Sequence, residues 1–81
     1  MTIMEEIRHF LEQQKYLDNG QYFDEKASLT ENGVIDSIGM MKLVGFLEDR
    51  YGIVIEDDDL MPENFDCLRA ITDYVNALRP K

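Results

Sequence analysis

The sequence predicts an all-α fold: a small four-helix bundle of three main helices and one short one, with a long loop between helices 1 and 2. Three observations carry the prediction. Segments near the start, middle and end repeat apolar residues at the i, i+3, i+4 spacing of a helix with one buried face. A stretch without period, marked by turn residues, separates the first segment from the second. The one β-like run, Ile53-Val54-Ile55, has no second strand to pair with, so it reads as an extended connector. A chain of 81 residues leaves no room for a second core, and residues 1–81 are read as one domain.

The first helix is expected from Ile3 to about Lys15. Thr2 and Glu5 have the spacing of a capping box, in which each side chain satisfies a backbone donor of the other. Ile3, Ile7, Phe10 and Leu11 form the apolar stripe, extended by Leu17 if the helix runs on. His9 lies off that stripe and has no His or Cys beside it, so it reads as a surface residue. From about Leu17 to Asp36 the period is lost. Asp18-Asn19-Gly20 is a turn signal, Tyr22, Phe23 and Leu29 are isolated apolar anchors, and Ser28 and Glu31 are placed to cap a short turn. A structureless loop of about twenty residues is unusual in a compact domain, but a bundle with one long crossover connection accommodates it.

The stretch Gly33 to Gly52 organises the rest. Asp36 is the expected N-cap of the second helix, because its carboxylate can accept from unpaired first-turn N–H groups. Ser37 falls just inside, where those N–H groups and the positive end of the helix dipole favour an anion. At about 3.6 residues per turn, Met40, Leu43, Val44, Leu47 and Tyr51 share the core face. Ile38, Met41 and Gly45 fall on the opposite side among Lys42, Glu48 and Asp49, with Phe46 at the flank. That second apolar strip beside Ser37 is not explained by folding, and it points to contact with a partner. Gly45 costs the helix about 1 kcal/mol against Ala, for which close packing and close partner approach are the two available reasons. Gly52 is the expected stop.

Glu56 to Asp59 form a four-carboxylate run that raises a divalent-cation hypothesis. The run lacks the alternating ligands, central Gly and terminal Glu of an EF-hand loop, so a solvated acidic turn is preferred and no metal is assigned. Pro62 to Phe65 are read as a short third helix. Phe65, Leu68, Ile71, Val75 and Leu78 place the last helix at about Asp66 to Leu78, with Asn64 or Asp66 as its cap and Pro80 at its end. Cys67, beside this stripe, lacks a basic neighbour or a second Cys and reads as a small core or boundary residue.

The formal charge of −9 argues against nucleic acid, whose phosphates repel it, and for fast, salt-sensitive association with basic partner surfaces. One cysteine cannot form an internal disulfide, which fits a reducing compartment. There is no apolar run near the roughly 20 residues of a membrane span and no basic-then-apolar secretion signal. A cytoplasmic monomer is expected.

Ser37 has no Gly-x-Ser-x-Gly elbow around it, and a base would have to come from the sole histidine on the first helix. Hydrolase chemistry is disfavoured, and the hydroxyl reads as one presented for another enzyme to modify. Asp36-Ser37-Ile38 at the head of this helix, with Gly33 and Ile35 before it, resembles the attachment site of the acyl carrier protein family. Length, acidity and helix spacing agree over nearly the whole chain.

The resemblance implies that Ser37 receives 4′-phosphopantetheine from coenzyme A through a phosphopantetheinyl transferase, with Asp36 adjacent to the reacting group. It implies an arm whose thiol holds acyl or aminoacyl groups as thioesters, presented to partner enzymes at raised effective concentration, and no catalysis by the carrier itself. Ile38, Met41, Lys42 and Gly45 are then the expected partner-binding residues. Fatty-acid carriers usually hold acidic residues at the positions of Lys42 and Arg50, and peptidyl carriers of modular synthetases usually hold Gly-Gly at Val34-Ile35. The nearest resemblance is to small free-standing carriers served by a separate adenylating acyl or aminoacyl ligase and by downstream acyl-transferring or tailoring enzymes of fatty acid or secondary metabolite biosynthesis. Two other classes compete: a helical interaction module without a prosthetic group, docking through Ile38 and Met41, and a divalent-cation-responsive domain using residues 56 to 59.

Overall fold

The computed structural model describes residues 2–79, with backbone alone at Pro62 and Glu63. The order is α1 (Ile3–Gln13), α2 (Ser37–Tyr51), a single 3-10 turn at Asp57–Asp59, α3 (Pro62–Phe65) and α4 (Leu68–Leu78). This is the expected all-α bundle, with the short third helix in place and the long loop between α1 and α2.

The expected capping box opens α1. The Thr2 hydroxyl accepts from the Glu5 N–H at 3.1 Å, and the Glu5 carboxylate accepts from the Thr2 N–H at 2.9 Å. The helix stops two residues short of the expected end because Lys15 turns the chain through a left-handed conformation, φ +66°. Beyond it the N–H groups of Tyr16 (2.8 Å) and Leu17 (3.2 Å) both donate to the Leu11 carbonyl. Leu17 is therefore buried by a reversal of the chain, not by extension of the helix.

Ile3, Ile7 and Leu11 of α1 meet Leu43, Val44 and Leu47 of α2 and Leu68, Ile71 and Val75 of α4 in one core. Phe10 stacks on Phe46 at 4.5 Å between ring centroids, which gives the flanking Phe46 its partner. Met40 and Tyr51, placed on the core face by the helical wheel, are half-buried at its edges. Tyr51 is drawn outward because its hydroxyl bonds the Glu6 carboxylate. Glu48 also departs from its surface placement. It is half-buried and accepts from the Ile55 N–H at 2.9 Å, so it pins the connector that buries Ile53 and Ile55 and leaves Val54 outside.

The start of α4 differs from expectation. Neither Asn64 nor Asp66 caps it, and the first helical residue is Leu68. Asn64 donates to the Asp59 carbonyl at 3.0 Å. The Asp66 carboxylate is spent on the long loop, accepting from the Ser28 hydroxyl (2.6 Å), the Thr30 hydroxyl (2.7 Å) and the Thr30 N–H (3.2 Å). The cap falls to Cys67, whose Sγ accepts from the Ala70 N–H at 3.4 Å. The acidic turn is tied down too: Asp59 accepts from the Tyr74 hydroxyl at 2.7 Å. Burial, then that carboxylate, pushes the Tyr74 hydroxyl up to about 12.

Burial alone raises the Asp66 carboxyl, but the bonds from Ser28 and Thr30 outweigh it and hold the group below the usual carboxylate range. A depressed folded pKa adds stability above the unfolded value, about 4, and that stability is lost as pH falls through the folded value. Asp66→Asn is expected to be less stable than the native chain at neutral pH, with the gap closing below about pH 4. Denaturant melts of both proteins across that range check it, and a gap independent of pH contradicts it.

Candidate functional site

The loop that leads to α2 is folded against the bundle by its own chemistry. Leu29 is fully buried, its N–H donates to the Asp66 carbonyl at 2.7 Å, and its carbonyl accepts from Val34 (2.9 Å) and Ile35 (3.3 Å). Ser28 caps the turn as expected, its hydroxyl accepting from the Glu31 N–H at 3.0 Å. Gly33, at φ +70°, supplies the left-handed residue that swings the chain back to bury Ile35. Upstream, the Arg69 N–H donates to the Glu25 carbonyl at 2.9 Å, fastening the same loop to α4.

Asp36 then caps α2. Its Oδ1 accepts from the Gly39 N–H at 2.7 Å and its carbonyl from the Met40 N–H at 2.8 Å. With that role filled, the exposed Ser37 hydroxyl has no hydrogen-bond partner among the described residues, and the first turn of α2 contains no acidic side chain. The positive end of the helix dipole faces an unobstructed hydroxyl. A phosphodiester at this oxygen is favoured electrostatically by the helix end. A cleft of about 480 Å³ opens beside Ser37 between Tyr16, Thr30, Val34, Ile35 and Asp36. These residues fit a phosphorylated arm on Ser37.

Sequence reasoning missed Gly39. It is buried, and a Cβ there would stand 2.7 Å from Ile35 Cγ1 and 3.0 Å from the Tyr16 ring. Tyr16, in the loop after α1, thus packs against the first turn of α2 only because residue 39 has no side chain. The available signal was a glycine in a helical first turn, where it costs the helix stability without a packing reason.

Ile38 and Met41 are 70% and 59% exposed, with Lys42 exposed beside them. Gly45 is exposed and a Cβ there would meet nothing within 4 Å, so packing inside the chain does not account for it. Met40 faces elsewhere, lining a small apolar cavity of about 150 Å³ with Leu60, Met61 and Phe65. His9 sits on α1 at 4.0 Å from Glu12. Among the described residues, no group of three or more His, Cys, Asp or Glu is arranged to hold a metal ion, and no helix is long and apolar enough to cross a membrane.

A family model described as the phosphopantetheine attachment site matches residues 2–75. The chain belongs to this family of phosphopantetheine carriers. Members hold 4′-phosphopantetheine covalently and meet phosphopantetheinyl transferases and partner enzymes. Among solved structures, the carrier is similar to a chain described as a crystal structure of FAD-dependent dehydrogenase. The two are 26% identical with a TM-score of 0.74, over 86% of this chain and 99% of that one.

The two glycines of α2 are expected to respond oppositely. Gly39→Ala forces Ile35 and Tyr16 apart and is expected to cost about 1–3 kcal/mol. Gly45→Ala enters open space and is expected to stabilise the carrier by up to about 1 kcal/mol. Chemical denaturation of both variants checks the pair, and equal effects contradict the placement of Tyr16 over the helix start.

Proposed function

We propose that residues 1–81 act as one carrier domain that takes 4′-phosphopantetheine on Ser37 from coenzyme A. The observation that carries this reading is the Ser37 hydroxyl, exposed and without a hydrogen-bond partner among the described residues, at a helix start whose cap is already supplied by Asp36. The arm supplies a thiol that holds acyl or aminoacyl groups as thioesters. Everything else falls to this chain's own residues. The helix end favours the phosphodiester charge, Asp36 holds the first turn rigid, and Tyr16 and Ile35 keep the serine displayed beside an open cleft.

The domain carries and does not catalyse on this reading. His9 is not among the side chains lining the Ser37 cleft and the Asp36 carboxylate is engaged by the Gly39 N–H, so activation of the hydroxyl falls to the transferase. Ile38 and Met41 form the apolar part of the partner surface, Lys42 adds charge, and the bare backbone at Gly45 allows close approach. Arg50 is a weaker candidate for partner contact, because it is bound to Glu6 at 2.5 Å. A small strip of this kind suits partners that must bind and release in turn.

The partners we assign are a phosphopantetheinyl transferase, an adenylating acyl or aminoacyl ligase, and acyl-transferring or tailoring enzymes, in the cytoplasm. The likeness to a chain described under a FAD-dependent dehydrogenase supports including flavin-dependent oxidation of the carried group among the tailoring steps.

Co-expression with a broad-specificity phosphopantetheinyl transferase followed by intact-mass measurement tests the assignment. The native chain is expected to gain one phosphopantetheine, and Ser37→Ala to gain none while melting at the native temperature, since Asp36 still caps α2. A modified Ser37→Ala protein moves the attachment site elsewhere. An unmodified native chain favours the interaction module.

A further inference from the structure

Ser37 stands at the start of α2, and the other end of that helix meets a different face of α4. Beside its apolar stripe, α4 carries Arg69, Thr72 and Asn76 at i, i+3 and i+7, and Arg79 follows at its C-cap, a row of hydrogen-bond donors with no carboxylate in it. With Arg50 and Tyr51 from the end of α2, and Glu6 of α1, this row lines a cleft of about 730 Å³.

The chain has 17 acidic and 8 basic side chains, yet three of the basic ones line this cleft against a single carboxylate, Glu6. Glu6 is already committed, accepting from Arg50 Nε at 3.1 Å and Nη2 at 2.5 Å and from the Tyr51 hydroxyl. Arg69 is shared between Glu25 at 2.6 Å and Asp73 at 3.4 Å. Arg79 has no carboxylate partner among the described residues. Its guanidinium rests on the Tyr51 ring at 5.3 Å from the centroid, and that of Arg50 lies 6.0 Å from the same centroid. Two like charges are thus gathered around one aromatic ring.

A second observation is independent of the arginines. Thr72 is 7% exposed, and its hydroxyl finds no hydrogen-bond partner among the described residues. Buried hydroxyls are nearly always bonded, because leaving one unpaired forfeits its hydration for nothing. The lining side chains thus offer many donors and one carboxylate, Glu6, which is already bonded.

We propose that this cleft binds a small polyvalent oxyanion of phosphate or carboxylate type, gripped between Arg79 and Arg50, with Thr72 and Asn76 donating from the α4 side. A guanidinium presents paired N–H groups that match two oxygens of such an anion, and Arg50 keeps Nη1 available after bonding Glu6. Binding would tie the end of α2 to α4 at the pole away from Ser37, leaving the attachment serine accessible.

The test is a titration of pyrophosphate, and separately citrate, into the isotope-labelled full chain at ionic strength fixed with sodium chloride, followed by NMR. Saturable shifts confined to Arg50, Tyr51, Arg69, Thr72, Asn76 and Arg79 are expected for at least one anion, and the tighter of the two identifies its type. Arg79→Met is expected to weaken binding about tenfold, as loss of a charge-assisted contact does. Thr72→Val, which removes only the unpaired hydroxyl, is expected to weaken binding with the spectrum otherwise preserved, and it decides the matter if Arg79→Met fails to fold. Non-saturating shifts spread over the surface with both anions, or native affinity in a folded variant, overturn the proposal.

Discussion

The long loop between α1 and α2 has no repeating backbone hydrogen bonds of its own, and the structure depends on how it is held. Beside the link from Glu25 to Arg69, two contacts hold it where it approaches α2. Leu29 enters the core with full burial, and the Asp66 carboxylate, between α3 and α4, takes three hydrogen bonds from Ser28 and Thr30. The first supplies apolar burial worth about 1.5–3 kcal/mol for a leucine-sized side chain. The second adds direction, because a carboxylate bonded on both oxygens fixes the backbone that presents the donors. The loop is thereby fastened to the far end of the chain before it reaches α2.

From that anchor the site follows. The Leu29 carbonyl receives Val34 and Ile35, Ile35 goes into the core, and Asp36 emerges in the extended conformation an N-cap requires. Gly39 lets Tyr16 and Ile35 close against the first turn of α2. Ser37 is left at this junction with neither a packing nor a capping duty among the described residues. Its availability is a consequence of its neighbours' commitments. The opposite pole of the bundle shows the reverse condition, with Arg79 and Thr72 lacking, among the described residues, the acceptors that their neighbours have found.

The helices were legible in the sequence because their apolar stripes repeat, and the ends were legible where a side chain has a strong local habit. Thr2 with Glu5, Asp36, and Gly52 in its left-handed conformation all sit where their chemistry puts them. The start of α2 just before Ser37 was legible for the same reason. What escaped reading depends on partners far along the chain. Nothing near Asp66 announces that it will bond Ser28 and Thr30, so it looked like a helix cap, and Cys67, a weaker acceptor, took that role instead. Lys15 carries no local sign of a left-handed turn. Met40 and Tyr51 lie on the core side of the wheel, but a wheel knows nothing of where the neighbouring helices end. Gly39 was open to inference, since a glycine in a helical first turn costs stability unless packing requires it.

The central claim is that anchoring of the loop at Asp66 sets the geometry of the first turn of α2, where Ser37 is displayed. Native-state hydrogen exchange of the Gly39 and Met40 amides, compared between the native chain and Asp66→Asn, tests it most directly. If the anchor governs the site, exchange at Gly39 and Met40 rises together with that at Leu29, Val34 and Ile35, although among the described residues no hydrogen bond joins Asp66 to α2. If the loop amides are released while Gly39 and Met40 keep their native protection, the start of α2 is held by its own cap alone and the claim is wrong.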